Sequence, residues 1–291
     1  MPPFHDRFWN SPDGLKLHYR DYDGPRDRPP LLCIPGLTRN ARDFEPVAER
    51  FAGEWRVIAV DLRGRGLSQY DPDPTHYVPQ VYAADLLKLL DQLGIADAVF
   101  IGTSLGGIIT MVMAMRDAER IAGALINDIG PETEQRGLDR IASYVGKPTT
   151  YSNWGDLARA LMANNRDAFP AWDLARWTTF AHCTASERDG AIRFDYDPAI
   201  ANGFKVAASA PLTDIWPYYR ALEGRPVTVL RGALTDLLEP AVAERMAQEI
   251  GDVDLVDVPQ VGHAPALDEP ESLAAIERLL GRVLARDEQP A

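Results

Sequence analysis

Cysteine is scarce in this sequence, with two residues, Cys33 and Cys183, in a chain of 291. They lie far apart and neither belongs to a CxxC pair. That argues against a disulfide scaffold and a structural zinc site, and it fits a reducing compartment. Five histidines with no HxxxH pair leave little material for a catalytic metal. Positive charge is also in short supply: 30 Lys plus Arg stand against 43 Asp plus Glu, the formal charge is -13, and no basic run occurs. A surface for nucleic acid or for an anionic membrane is therefore not expected. No apolar stretch approaches the ~20 residues that a bilayer span needs. The N-terminal Met-Pro-Pro-Phe-His-Asp lacks the apolar core of a signal peptide. The expectation is a cytoplasmic protein.

What is present is enough apolar material for a sizeable core. Hydrophobic residues make up 46% of the chain and charged residues 25%, the balance of a packed globule of one large domain or two smaller ones. Apolar runs bounded by turn residues read as buried strands at 31–34, 57–60, 98–101 and 122–126, and again at 227–230 and 254–258. Helical spacing marks 41–52, 81–93, 106–116 and 271–284. Strand alternating with helix implies crossover connections and a mostly parallel sheet. Ahead of these, Ser11-Pro12-Asp13-Gly14 suits a tight turn between strands at 7–9 and 16–20. An antiparallel edge is expected to open the sheet.

Between residues 131 and 219 the alternation stops. Helical patterns there are broken by residues such as Pro148, Gly155, Pro170, Pro198 and Pro211, and no clear buried strand appears. The expectation is a mostly helical insertion, with 1–130 and 220–291 forming the core. Trp154, Trp172, Trp177 and Trp216 fall in the insertion with Tyr144, Phe169 and Phe180. They are expected to fill its core, some of them lining a pocket. Any left exposed would offer a surface for a homodimer.

The chemistry centres on Gly102-Thr103-Ser104-Leu105-Gly106-Gly107, which follows one expected strand and opens a helix. A GxSxG sequence has meaning in that context. A turn sharp enough to push Ser104 out at the top of the sheet crowds the residues two before and two after it, so both are glycine. Serine is a poor nucleophile by itself and needs a base and an orienter for that base. His263 follows the last expected strand, at the sheet edge where catalytic groups of open α/β sheets gather. His5, His18, His76 and His182 lie elsewhere, His18 on an expected sheet surface. Two loops at the same edge supply an acid: Asp236 after strand 227–230 and Asp128 after strand 122–126. Asp236 is favoured, with Asp128 as a turn or cap residue. Oxyanion donors are expected at the backbone N–H groups of Leu105, which opens the helix, and of Leu37, after Pro35-Gly36.

Taken with Asp61-Leu62-Arg63-Gly64-Arg65-Gly66-Leu67-Ser68 and Gly262-His263, these motifs resemble the α/β-hydrolase fold superfamily, in its branch with a helical cap inserted after the sixth strand. The resemblance covers almost the whole chain. It implies an acyl-enzyme mechanism with Ser104 as nucleophile, His263 as base, Asp236 as orienter, and Leu37 and Leu105 as oxyanion donors. It gives 61–68 a structural role, bracing the loop after the second parallel strand. No cofactor and no metal is implied. The function expected is hydrolysis of carboxylic esters of small to medium, rather apolar substrates. A lactonase or a carbon-carbon bond hydrolase of ring-cleavage products is the alternative, with Arg39 and Arg176 as candidate cations for an acidic substrate. A cofactor-free perhydrolase and a non-catalytic ligand-binding member of the fold come behind. Ser104 at the elbow disfavours dehalogenase and epoxide hydrolase chemistry, which uses Asp there.

Overall fold

The computed structural model describes residues 1–209 and 214–287. Among them, one eight-stranded sheet forms the centre, built from β1 (Phe4–Asn10), β2 (Lys16–Tyr22), β3 (Leu31–Ile34), β4 (Val57–Asp61), β5 (Ala98–Thr103), β6 (Ile121–Asn127), β10 (Val227–Gly232) and β11 (Val253–Val258). Their order across the sheet is β1-β2-β4-β3-β5-β6-β10-β11. The first two strands are antiparallel and the remaining pairings from β4 to β11 are parallel. Strands β3, β4 and β6 are buried at every position, as continuous apolar runs require when helices cover both faces.

The helices divide between those faces. α2 (Pro79–Leu93) and α3 (Leu105–Asp117) pack through Leu86, Leu89, Ile109 and Met113 on one side. α1 (Glu45–Phe51) and α10 (Pro270–Asp287) pack through Val47, Phe51, Ile276 and Leu279 on the other. The helix of 81–93 ends where the sequence punctuates it, at Gly94, whose φ of 63° is the left-handed C-terminal conformation.

Between β6 and β10 the chain forms α4 (Gln135–Tyr144), β7 (Thr150–Tyr151), α5 (Trp154–Asn165), α6 (Leu174–Thr184), β8 (Ala185–Arg188), β9 (Ala191–Phe194), α7 (Ile200–Ser209) and α8 (Trp216–Arg220). This segment was expected to be helical without clear strands, yet β7, β9 and β8 make a small antiparallel sheet. The turn between β8 and β9 is Asp189-Gly190, with φ of 53° and 71°, the left-handed pair that closes a two-residue hairpin. Pro211, one of the expected helix breaks, lies outside the described residues. No helix among the described residues is long and apolar enough to cross a membrane.

Charged side chains brace the loops that carry the site. Arg63 is buried and its fork reaches three carboxylates, Asp13, Asp71 and Asp85. His76 also approaches Asp71 and Asp13, so the arginine fills the one group of acids and histidine with metal-ligand spacing among the described residues. His18, expected on a sheet surface, is instead buried, held between Asp61 at 2.7 Å and Asp6 at 2.9 Å. Asp61 is a hub: besides His18 it accepts the backbone N–H groups of Ala41 and Leu67 at 2.7 and 2.9 Å. That geometry leaves no room beside it, because a Cβ on Gly66, at φ 54°, would lie 2.2 Å from Asp61 Oδ2. Gly66→Ala is expected to cost on the order of 2–4 kcal/mol by strain and by displacing this hub. Thermal melting checks it, with a drop of roughly 5–10 °C expected; an unchanged melting temperature rejects the hub.

Candidate active site

Ser104 sits between β5 and α3 with φ 52° and ψ -113°, a conformation that a β-carbon disfavours and that the surrounding packing enforces. The packing leaves no space for side chains at the flanking glycines. A Cβ on Gly102 would lie 2.5 Å from Gly106 O, and one on Gly106 would lie 2.1 Å from Ile34 O. The Ser104 N–H donates to Asn127 O at 2.9 Å, and Ser104 O accepts Gly107 N–H at 2.8 Å. The hydroxyl is thereby fixed at the carboxyl edge of the sheet, where Ser104 lines a cavity.

His263, in the loop after β11, places Nε2 2.9 Å from Ser104 Oγ. Its other nitrogen, Nδ1, lies 2.8 Å from Oδ2 of Asp128. The sequence reading favoured Asp236 for this place, and here the structure differs. Asp128 follows β6 at φ 56° and is fully buried. Its Oδ1 accepts the Gly232 N–H at 2.9 Å and its Oδ2 accepts the Thr235 hydroxyl at 2.7 Å. β6 is the direct neighbour of β10, so a carboxylate turned sideways at the end of β6 reaches the histidine loop across the end of β10. The β10 loop therefore brings Thr235 to the Asp128 carboxylate, and the next residue, Asp236, points away to α4. There its two oxygens accept Arg140 Nε and Nη2 at 2.5 and 2.7 Å. Left-handed backbone tolerates Asp better than most residues. That tolerance, in Asn127-Asp128-Ile129-Gly130, was the one local signal for Asp128, whereas nothing near Asp236 pointed to Arg140.

The two expected oxyanion donors flank the serine. Leu105 is the first residue of α3, where N–H groups have no partner within the helix. Leu37 lies in the loop after β3 and lines the cavity. That loop is pinned twice: Arg39 N–H donates to Gly36 O at 3.2 Å, and Arg65 Nε–H donates to Leu37 O at 3.0 Å.

The cavity above Ser104 has a volume of about 750 Å³. One side is the sheet edge with Leu37, Ser104 and His263; the other comes from the insertion, with Phe169, Trp172, Trp177 and Phe180. These four rings pack on one another with centroids 4.5–5.9 Å apart. Trp154 stacks on His182 instead, and Trp216 packs on Tyr219 and donates to Glu132. Both candidate cations line the cavity and both have acid partners, Arg39 with Asp43 and Arg176 with Asp268. Cys183, also on the wall, has its thiol pushed up to about 11, chiefly by burial, which suits it to packing and not to nucleophilic chemistry.

The fold and this edge-on serine define a class. A model of the alpha/beta hydrolase family matches residues 31–276, and the chain belongs to that family. It is 32% identical over 273 residues to the 3-hydroxybutyrate-oligomer hydrolase of Cupriavidus necator, covering 91% of this chain and 92% of that protein. With the 2-(acetamidomethylene)succinate hydrolase of Mesorhizobium japonicum it shares 28% identity over 81% of each chain. Among solved structures, an alpha/beta hydrolase from Novosphingobium aromaticivorans superposes with a TM-score of 0.93 at 49% identity, covering 97% of this chain and 99% of the other. The protein is thus a hydrolase of the α/β fold.

The Arg140–Asp236 pair has a pH signature of its own. Burial opposes ionisation of Asp236, but the hydrogen bonds and charge of Arg140 outweigh it and hold the carboxyl below its usual value. A lowered carboxyl stabilises the fold above the ordinary aspartate range of about 3.9 and stops doing so as pH falls through the lowered value. Asp236→Asn is therefore expected to melt below the wild type at pH 7, with the gap closing below about pH 4. A gap independent of pH in a melting series would reject the ion pair as its source.

Proposed function

We propose that this protein hydrolyses carboxylic esters through an acyl-enzyme on Ser104, with His263 as the general base and Asp128 as its orienter. The observation that carries the reading is the unbroken hydrogen-bond chain Ser104 Oγ, His263 Nε2, His263 Nδ1 and Asp128 Oδ2, opening into an aromatic-walled cavity. Asp128 is acceptor-only when ionised, so His263 donates from Nδ1 and presents its lone pair at Nε2 to the serine proton. In this reading 131–219 is a cap over the site.

The steps follow from that arrangement. Ser104 Oγ attacks the substrate carbonyl carbon as its proton passes to His263 Nε2, and the carbonyl oxygen takes the negative charge. The N–H groups of Leu37 and Leu105 receive that oxyanion. On collapse the carbon–oxygen bond to the alcohol breaks, and His263 returns the proton to the departing oxygen. A water then gives its proton to His263 and adds to the acyl carbon. Ser104 leaves, regaining the proton, and the acid departs. Buried Asp128 holds the imidazole through both halves and stabilises its transient positive charge. Similarity to a 3-hydroxybutyrate-oligomer hydrolase across nine-tenths of the chain favours hydroxy-acid esters of short acyl length, and aromatic walls suit the apolar part of such a chain.

With p-nitrophenyl esters of increasing acyl length as substrates, Ser104→Ala or His263→Ala is expected to lower kcat by on the order of 10³-fold or more with the fold intact. An unchanged rate in either variant rejects the reading. The acid is tested in parallel. Asp128→Asn is expected to lower kcat by on the order of 10²–10⁴-fold, as loss of the correct tautomer does in related triads, and Asp236→Asn by less than about tenfold. The opposite ranking would return the role to Asp236.

A further inference from the structure

Two arginines sit two residues apart in 61–68 and are both buried, yet their surroundings differ. Arg63 faces the three carboxylates Asp13, Asp71 and Asp85. Arg65, with no measurable exposure, is given only neutral acceptors: Leu37 O at 3.0 Å from Nε, and Arg63 O at 2.7 Å and Tyr82 Oη at 2.9 Å from Nη1. Its Nη2 is buried without any partner. The rings of Tyr82 and Tyr77 face the guanidinium, with centroids 4.9 and 5.7 Å away. Among the described residues no carboxylate pairs with it. A buried cation without a counter-ion is costly, and what it gives in return here is hydrogen bonds to the carbonyls of Leu37 and Arg63.

What Arg65 holds is informative. Leu37 has a peptide plane on each side. The plane before it, Gly36–Leu37, is fixed by the Arg39 N–H on Gly36 O; because the peptide is trans and planar, Leu37 N–H points opposite to that carbonyl. The plane after it, Leu37–Thr38, is fixed by Arg65 on Leu37 O. With both planes held, the direction of Leu37 N–H no longer depends on the substrate. The charge acts in the same sense, since an uncompensated cation beneath the loop in a low-dielectric setting favours negative charge developing above it.

We infer that Arg65 is the positioning residue of the oxyanion hole: it locks the Leu37 donor in place and supplies a positive field to the tetrahedral oxyanion without touching substrate. This rests on the reading of Leu37 and Ser104 given under the proposed function. The insertion reports to the same residue, because Gly66 N–H donates to Asp195 O at 2.9 Å and Asp197 N–H donates to Gly64 O at 2.8 Å. The loop that carries Arg65 is thus clamped from both sides.

The test is the second-order rate of labelling by a fluorophosphonate, which forms a bond from Ser104 Oγ to phosphorus, expels fluoride and places its phosphoryl oxygen where the oxyanion would sit. No labelling of the wild type, or equal labelling of Ser104→Ala, would mean that the serine reading has failed. With the wild type labelled, Arg65→Met is expected to react at least about thirtyfold more slowly. Arg65→Lys, which keeps the charge but loses the fork, is expected to fall between the two. In ester turnover the loss is expected in kcat, with KM within about threefold. An Arg65→Met protein that melts earlier yet labels at the wild-type rate when fully folded overturns the proposal, leaving Arg65 a purely structural residue. Should circular dichroism show that Arg65→Met does not fold, Tyr82→Phe removes one acceptor of the same guanidinium. A severalfold slower labelling then supports the proposal, and an unchanged rate overturns it.

Discussion

The whole site depends on one close approach, that of the first turn of α3 to the end of β3. Gly106 lies so near Ile34 O that a Cβ would come within 2.1 Å of it, and Gly102 lies against Gly106 in the same way. Only with both side chains missing can the helix start immediately above the sheet. Only then is the intervening serine forced into its left-handed conformation, with its hydroxyl clear of the backbone. The energy that keeps Ser104 there is not local: it comes from the buried strands β3, β5 and β6 and the apolar face of α3, which gain far more from packing than one strained residue costs. A serine mounted this way has little freedom to relax, so its distance to His263 is set by the sheet and by the loop after β11.

The position of the carboxylate that meets His263 follows from sheet order. Strand neighbours β6, β10 and β11 end side by side, and the histidine comes from the loop after the third of them. A carboxylate after either of the first two can reach it. The contact falls to Asp128 because its backbone turns left-handed at the strand exit, and because Gly232 at the end of β10 and Thr235 in the loop after it supply two more donors to the same carboxylate. A buried carboxylate needs such donors, and Gly232 N–H, the Thr235 hydroxyl and His263 Nδ1 all lie within hydrogen-bond distance of this one. Asp236 is then free to take another partner, and the guanidinium of Arg140 ties the insertion to the core at that point.

Much of this was legible in the sequence, for physical reasons that differ by element. The parallel strands and covering helices announce themselves because burial on both faces demands continuous apolar runs and one-sided helices. The elbow is legible because its steric demands are met by glycine at fixed spacing, and His263 because it follows a strand whose end can be located. Asp128 against Asp236 was not decidable in that way, since the difference lies in a single φ and in donors from another loop. The burial of His18 is hidden from the sequence for a related reason: alternation along β2 marks a face, but Asp6 from β1 and Asp61 from β4 together wrap that face around the imidazole. In the insertion, the hairpin at Asp189-Gly190 carried a readable turn signal between strands of only four residues each. Segments so short have too little periodicity to stand out from broken helix.

The insertion is seated by hydrogen bonds at the loops around Ser104 and His263, where it forms one wall of the cavity. Gly262, immediately before the histidine, donates its N–H to Ala168 O at 2.6 Å, and a Cβ there would meet Ala168 at 2.6 Å. On the opposite side of the site, the segment after β9 is bonded to Gly64 and Gly66, and Asn40 and Arg42 reach Cys183 O at the end of α6. Three of these bonds run from main chain to main chain and Asn40 and Arg42 add side-chain donors, so the insertion is tied to the core on both sides of Ser104. The arginines on the wall fit the same logic. Each is tied to a carboxylate that orients it, and two of them also lie over aromatic rings, Arg39 over Phe180 at 4.1 Å and Arg176 over Trp172 at 4.7 Å. A guanidinium over a ring face is attracted to it, so these contacts help hold Phe180 and Trp172 in the cavity wall.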